Sequence, residues 1–164
     1  MDQGTVQIYC GDGSGKSSAA LGQGIRLASN GGTVYMIQFL KVQPTSDFLS
    51  RLEPELKFFR FERSPMSYDD MTDEERDEEK KHIQNGINFA RKVLTTGECD
   101  LLVLDEVLGA VDEGILTEDE VIDALEQRPP ETSVILTGRK LPERIARMAD
   151  CISTIGAVQS TKQQ

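Results

Sequence analysis

Residues 5–18 read Thr-Val-Gln-Ile-Tyr-Cys-Gly-Asp-Gly-Ser-Gly-Lys-Ser-Ser, and this stretch decides the fold. Thr5–Tyr9 is β-branched and aromatic, the composition of a strand. From Lys16 to Ser29 the residues Leu21, Ile25 and Ala28 recur at helical spacing, and Asn30-Gly31-Gly32 then supplies residues able to enter the left-handed conformation that ends a helix. Between strand and helix lies Gly11-Asp12-Gly13-Ser14-Gly15-Lys16-Ser17-Ser18. Glycines in such a turn let successive backbone N–H groups converge on phosphate oxygens, and the helix N-terminus adds positive potential. Lys16 can neutralise charge, and the Ser17 hydroxyl can ligate Mg²⁺. A Gly-rich turn with no ligand is the alternative, and the strand before and helix after it favour nucleotide binding. Cys10 stands five residues before Gly15, where the generic phosphate loop has glycine, so Gly11 and Gly13 shift the flexibility inward.

Outward from this turn, apolar segments Thr33–Gln38, Leu56–Phe61, Leu101–Leu104 and Ser133–Thr137 alternate with stretches of helical period, and Cys151–Ile155 is a sixth candidate strand. The alternation predicts an α/β fold, an open and mostly parallel sheet with helices on both faces. Between Thr72 and Thr95 the residues Ile83, Ile87, Ala90 and Leu94 form one apolar stripe, with Thr72 and Glu75 at capping-box spacing. Thr117 and Glu120 repeat the device before Val121, Ile122 and Leu125, and a last helix is expected from about Pro142 to Asp150. The acidic run Asp69–Glu79 reads as the solvated start of a helix, where negative charge favours the macrodipole.

The 164 residues, 38% of them hydrophobic, suit a single domain over residues 1–158, with a frayed tail over 159–164. The 28 acids outnumber the 18 basic residues, and the formal charge of -10 would repel nucleic acid and anionic membranes. No apolar run approaches the roughly 20 residues of a membrane span, and the opening segment lacks the pattern of a signal peptide, so a cytoplasmic location is expected. Cys10, Cys99 and Cys151 lack metal-ligand spacing and read as thiols used for packing. The single histidine, His82, lies in a charged helical segment and reads as a surface residue. Met36, Phe39, Phe58, Phe59 and Phe61 read as core.

A second chemical signal is Leu101-Leu102-Val103-Leu104-Asp105-Glu106, an apolar strand that delivers two carboxylates at its C-terminal end, where open α/β sheets bind ligands. Asp105 and Glu106 are candidate metal residues, and Asp105 is expected to share one Mg²⁺ with Ser17. The alternative is a pair of ordinary loop acids.

The loop GDGSGKSSAA, the strand end QFLK at Gln38–Lys41, LLVLDE at Leu101–Glu106, GILTEDEVIDALEQRP at Gly114–Pro129 and VILTGR at Val134–Arg139 run in one order along the chain. In this set the sequence resembles the ATP:corrinoid adenosyltransferases, which act on cob(I)alamin and cob(I)yrinic acid a,c-diamide. The resemblance implies a P-loop NTPase-like, RecA-like domain that binds Mg·ATP and a corrinoid, depends on an electron donor to supply Co(I), and forms a homodimer. Co(I) would attack the ribose C5′ and expel triphosphate; the protein would position C5′ in line and stabilise the departing charge. It also implies that Gly11–Ser18 cradle the triphosphate, that Lys16 and Glu106 take part in the chemistry, and that Ser17, Asp105 and Glu106 serve the metal. Arg139 becomes an anion contact. Arg26 matches an arginine of the family's first helix, although a cation complementing the helix dipole explains it equally well. Lys41 is a candidate nucleotide contact. The family loop usually reads G-N-G-K-G-K-[ST]-T, so Asp12 for Asn and Ser14 for Lys make this loop more negative and imply a weaker hold on ATP. The chain has no Trp, which the family often carries after the third strand, and ends in AVQSTKQQ instead of a Lys/His/Phe/Gly-rich tail. Two other classes stay open: an ATPase or phosphotransferase in which Glu106 orients a water or hydroxyl toward the γ-phosphate, and a non-catalytic nucleotide or corrinoid binder.

Overall fold

A computed structural model describes residues 2–40, 47–61 and 68–159. Six strands, β1 (Val6–Cys10), β2 (Val34–Gln38), β3 (Leu56–Arg60), β4 (Leu101–Asp105), β5 (Ser133–Gly138) and β6 (Cys151–Thr154), form one sheet in the order β3-β2-β4-β5-β1-β6. Every pairing is parallel. The helices are α1 (Lys16–Ser29), α2 (Asp47–Ser50), α3 (Asp73–Thr96), α4 (Val107–Asp112), α5 (Glu118–Glu126) and α6 (Glu143–Ala146), with a 3-10 turn at Tyr68–Asp70. Among the described residues no helix is long and apolar enough to cross a membrane.

The central strands read as continuous apolar runs because both faces of a parallel sheet are covered, and β4 is buried at all five positions. Val34, Met36, Leu101, Val103 and Ile135 meet Ala20 of α1 on one face. On the other, Ile8, Ile37, Leu102, Leu104, Val134 and Leu136 share a core with Ile83, Ile87 and Leu94 of α3 and Val121 and Leu125 of α5. Register then lines up the C-terminal ends: Cys10 pairs with Gly138 and Gln38 with Asp105. Because β5 lies between β1 and β4, the end of β5 is wedged between the glycine-rich turn and the carboxylates.

Thr72 caps α3 in a complete capping box with Glu75, and Thr117 caps α5 by accepting from the Glu120 N–H. The last helix is shorter than its periodicity predicts. The Val6 N–H donates to Asp150 Oδ2 and the Asp150 N–H to the Val6 carbonyl, both at 2.8 Å. This clasp draws the chain into β6, and α6 ends at Ala146. Two other expectations are corrected. Glu79 of the acidic run is buried, and Cys151 is exposed on the edge strand, unlike the buried Cys10 and Cys99. Met36 and Phe39 are buried as expected, whereas Phe59 and Phe61 are half-buried beside Phe89.

Candidate functional site: a phosphate loop facing a buried carboxylate

The turn between β1 and α1 is shaped by two glycines in the left-handed region, Gly11 at φ 112° and Gly15 at φ 105°. L side chains rarely adopt such angles. A further constraint at Gly11 and Gly13 comes from the chain after β6. A Cβ at Gly11 would lie 2.4 Å from the Ile155 carbonyl oxygen, one at Gly13 would lie 2.8 Å from it, and the Gly13 N–H donates to that oxygen at 2.8 Å. Gly15 has open space around it and is held to glycine by its φ alone.

Helix α1 begins without a side-chain cap and without an acid in its first turn, whereas α3 and α5 have both. The first amides of a helix need partners, and the start of α1, with neither a side-chain cap nor an acid, presents the positive end of the macrodipole at the loop. Lys16 is buried, and its Nζ donates to the Gly13 carbonyl at 2.6 Å, which folds the ammonium back over the loop. Ser14 and Ser18 are exposed at the loop mouth. Asp12 is exposed as well, and its Oδ1 lies 3.2 Å from Arg139 Nη2.

Asp105 is fully buried at the end of β4. Its Oδ1 accepts from the Ser17 hydroxyl and from the Thr137 hydroxyl, each at 2.7 Å. The Thr137 oxygen in turn accepts from the Glu106 N–H at 2.8 Å. Glu106 is the only described non-glycine residue at positive φ, 61°. Such a backbone is costly and persists where surroundings over-determine it; here Thr137 holds its N–H while its carbonyl accepts from Gly109 and Ala110 at the start of α4. The rim beside it is acidic. The Glu113 carboxyl is raised above the ordinary range by desolvation, then by Asp69, Asp112 and Glu106.

The structure therefore brings Gly11–Ser18, Asp105, Glu106 and Arg139 to one end of the sheet. Arg26 stands apart. It is exposed in the last turn of α1, ten residues beyond Lys16 or about 15 Å along the helix. There it lines a shallow pocket with Gln23, Asn30 and Ser133 at the end of the sheet where strands begin. Lys41 and the segment 62–67 lie outside the described residues. Thr137, which joins the two halves of the site, was missed by sequence reasoning; the signal is a hydroxyl residue at the C-terminal end of a buried strand, between two strands already assigned to the site. Gly138 was missed too: a Cβ there would lie 2.4 Å from Leu108 Cβ, so only glycine lets α4 pack against β5.

The Ser17 hydroxyl and the Asp105 carboxylate meet at 2.7 Å, with Glu106 next in the chain, and such oxygen donors are of the kind Mg²⁺ takes, one or two carboxylates plus substrate phosphates and water. Among the described residues no group of three or more acids, histidines or cysteines could cage a metal by itself. Such a site fits a cation that arrives with a polyphosphate.

Strand order, loop and buried carboxylate define a RecA-like P-loop domain, and comparison with solved structures agrees. The flagellar accessory protein FlaH from Methanocaldococcus jannaschii superposes with a TM-score of 0.60 at 17% identity, over 94% of this chain and 72% of that one. EssC (ATPases 2 and 3) from Geobacillus thermodenitrificans gives 0.53 at 15%, over 96% and 33%. Residues 2–164 match the family model described as ATP:corrinoid adenosyltransferase BtuR/CobO/CobP, and the chain belongs to that family. Its similar relatives include the corrinoid adenosyltransferase of Escherichia coli strain K12 and corrinoid adenosyltransferase CobA of Salmonella typhimurium strain LT2, each 28% identical over 96% of this chain and 79% of the relative. That of Pseudomonas aeruginosa is 27% identical over 96% and 77%. The activity that goes with the family is corrinoid adenosylation with ATP as substrate.

Proposed function

We propose that the turn Gly11–Ser18 holds the triphosphate of ATP, that Ser17 and Asp105 hold its Mg²⁺ with Glu106 serving the same ion from the rim, and that the adenosyl group is transferred at carbon. The observation that carries this reading is the Ser17–Asp105–Thr137–Glu106 chain of hydrogen bonds, which fixes the loop against the carboxylates. Mg²⁺ would supply charge neutralisation on the leaving triphosphate. Co(I) of the corrinoid substrate is already a strong nucleophile, so the protein needs no base. The loop amides, the end of α1 and Lys16 stabilise charge that grows on the departing oxygens, and the fixed phosphates orient C5′ for in-line attack. In atoms, a Co–C bond forms, the C5′–O bond breaks, and its electron pair leaves with triphosphate. Arg139 stands at the loop mouth as a second anion contact.

The corrinoid must reach the site as Co(I), so an electron donor acts as a partner. Free thiols at Cys10, Cys99 and Cys151 suit a reducing, cytoplasmic setting. A homodimer is supported by β6, an edge strand exposed at all four positions. The test is incubation with ATP, Mg²⁺ and chemically reduced corrinoid. A light-sensitive adenosylated corrinoid formed one-for-one with triphosphate is expected; ADP and phosphate without that product would contradict the reading in favour of attack at the γ-phosphate.

A further inference from the structure

Arg139 directly follows β5 and is tied twice to the opening residues of the phosphate loop. Its carbonyl accepts from the Gly11 N–H at 3.0 Å, and its side chain donates to Asp12 Oδ1 from Nε at 3.4 Å and Nη2 at 3.2 Å. Both side chains are largely solvent-exposed, 72% for Arg139 and 75% for Asp12. A carboxylate thus occupies a turn whose other features, an uncapped helix start and a lysine folded over the loop, suit an anion, and it engages the Arg139 guanidinium beside that turn.

We propose that Asp12 sets the nucleotide affinity of this enzyme by competing with the polyphosphate for Arg139. The inference rests on the reading that the turn holds ATP. A phosphate oxygen arriving at the loop mouth meets a guanidinium that already has an anionic partner, and the two anions exchange it. The backbone bond from Gly11 keeps Arg139 at the loop whichever partner its side chain holds, so the exchange needs only a rotation of the side chain. An exposed ion pair is weak and screened by salt. The competition therefore tunes affinity and does not close the site. Asp12 also remains beside the bound phosphates as a like charge, which acts in the same direction.

The experiment is a calorimetric titration of the full chain with Mg·ATP in wild type, D12N, R139Q and D12N/R139Q, with thermal melting as a check on folding. D12N is expected to bind ATP about two- to fivefold more tightly, the range set by the strength of an exposed ion pair. R139Q should bind more weakly than wild type. In the double variant the gain from D12N should shrink to less than half on a logarithmic scale, because its beneficiary is gone. A wild-type chain that binds Mg·ATP while D12N gains nothing overturns the competition and leaves the phosphate-loop reading standing. A D12N gain that persists in full without Arg139 also overturns it, since Asp12 would then act by repulsion alone. Absence of Mg·ATP binding in the wild type overturns both.

Discussion

Thr137→Val replaces a hydroxyl by a methyl group of nearly the same volume and tests whether the network at the end of β5 holds the two halves of the site. Thr137 is fully buried, donates to Asp105 Oδ1 and accepts from the Glu106 N–H. The substitution removes a hydrogen bond to a carboxylate, contributing about 1.5–3 kcal/mol, and leaves a backbone N–H without this partner, at about 1–3 kcal/mol. The two losses share one oxygen and are not additive, so a net destabilisation of about 2–4 kcal/mol is expected. For a domain of this size that lowers Tm by roughly 5–15 °C. The assay is chemical denaturation with Thr137→Ser as the control, since serine keeps the hydroxyl and loses only a methyl, about 1 kcal/mol. ATP affinity should fall in the valine variant more than in the serine one, because Asp105 and the strained Glu106 lose a shared anchor. A valine variant as stable as wild type, or less destabilised than the serine variant, would refute the reasoning.

The remaining predictions concern the loop, the sheet and the thiols. Lys16→Ala should abolish Mg·ATP binding in a fluorescent-nucleotide displacement assay without a large change in melting, since Nζ donates within its own loop. Gly138→Ala should destabilise the fold by about 1–3 kcal/mol through overpacking against Leu108, read by denaturant midpoint. At pH 8 alkylation should modify the exposed Cys151 quickly and the buried Cys10 and Cys99 only after unfolding, as peptide mapping would show. Burial pushes the Cys99 thiol up to about 12 from 9.0. The folded state thus holds a proton that the unfolded chain releases, so this contribution to stability is complete below about pH 9 and is lost as pH rises from there toward 12. Replacing Cys99 by Ala should flatten that alkaline decline in a series of melts.

Most of the sheet was legible because each parallel strand, buried on both faces, announces itself as a short apolar run. Expected strands such as Ser133–Thr137 and Leu101–Leu104 end within one residue of the observed ones. Helices α3 and α5 were legible from threonine caps whose bonds are local. What escaped depends on tertiary contact. The six-residue α4 has no room for a period, and α6 is cut short by the Asp150–Val6 clasp, which joins residues far apart in the chain. At the candidate site, the meeting of Gly11–Ser18 and Asp105 at one end of the sheet was legible from motif and position, whereas Thr137 joins them only because β5 is inserted between β1 and β4. From sequence, glycine at positions 11 and 13 serves phosphate; the structure adds the close approach of Ile155, which no local pattern discloses.

A crystal of the full chain grown with Mg·ATP gives the most direct test of the account. It should show the triphosphate wrapped by residues 11–18 and a single magnesium ion in contact with the Ser17 hydroxyl, with Asp105 directly bound or one water away. A nucleotide seated elsewhere on the sheet, or an ion that avoids both residues, would contradict it.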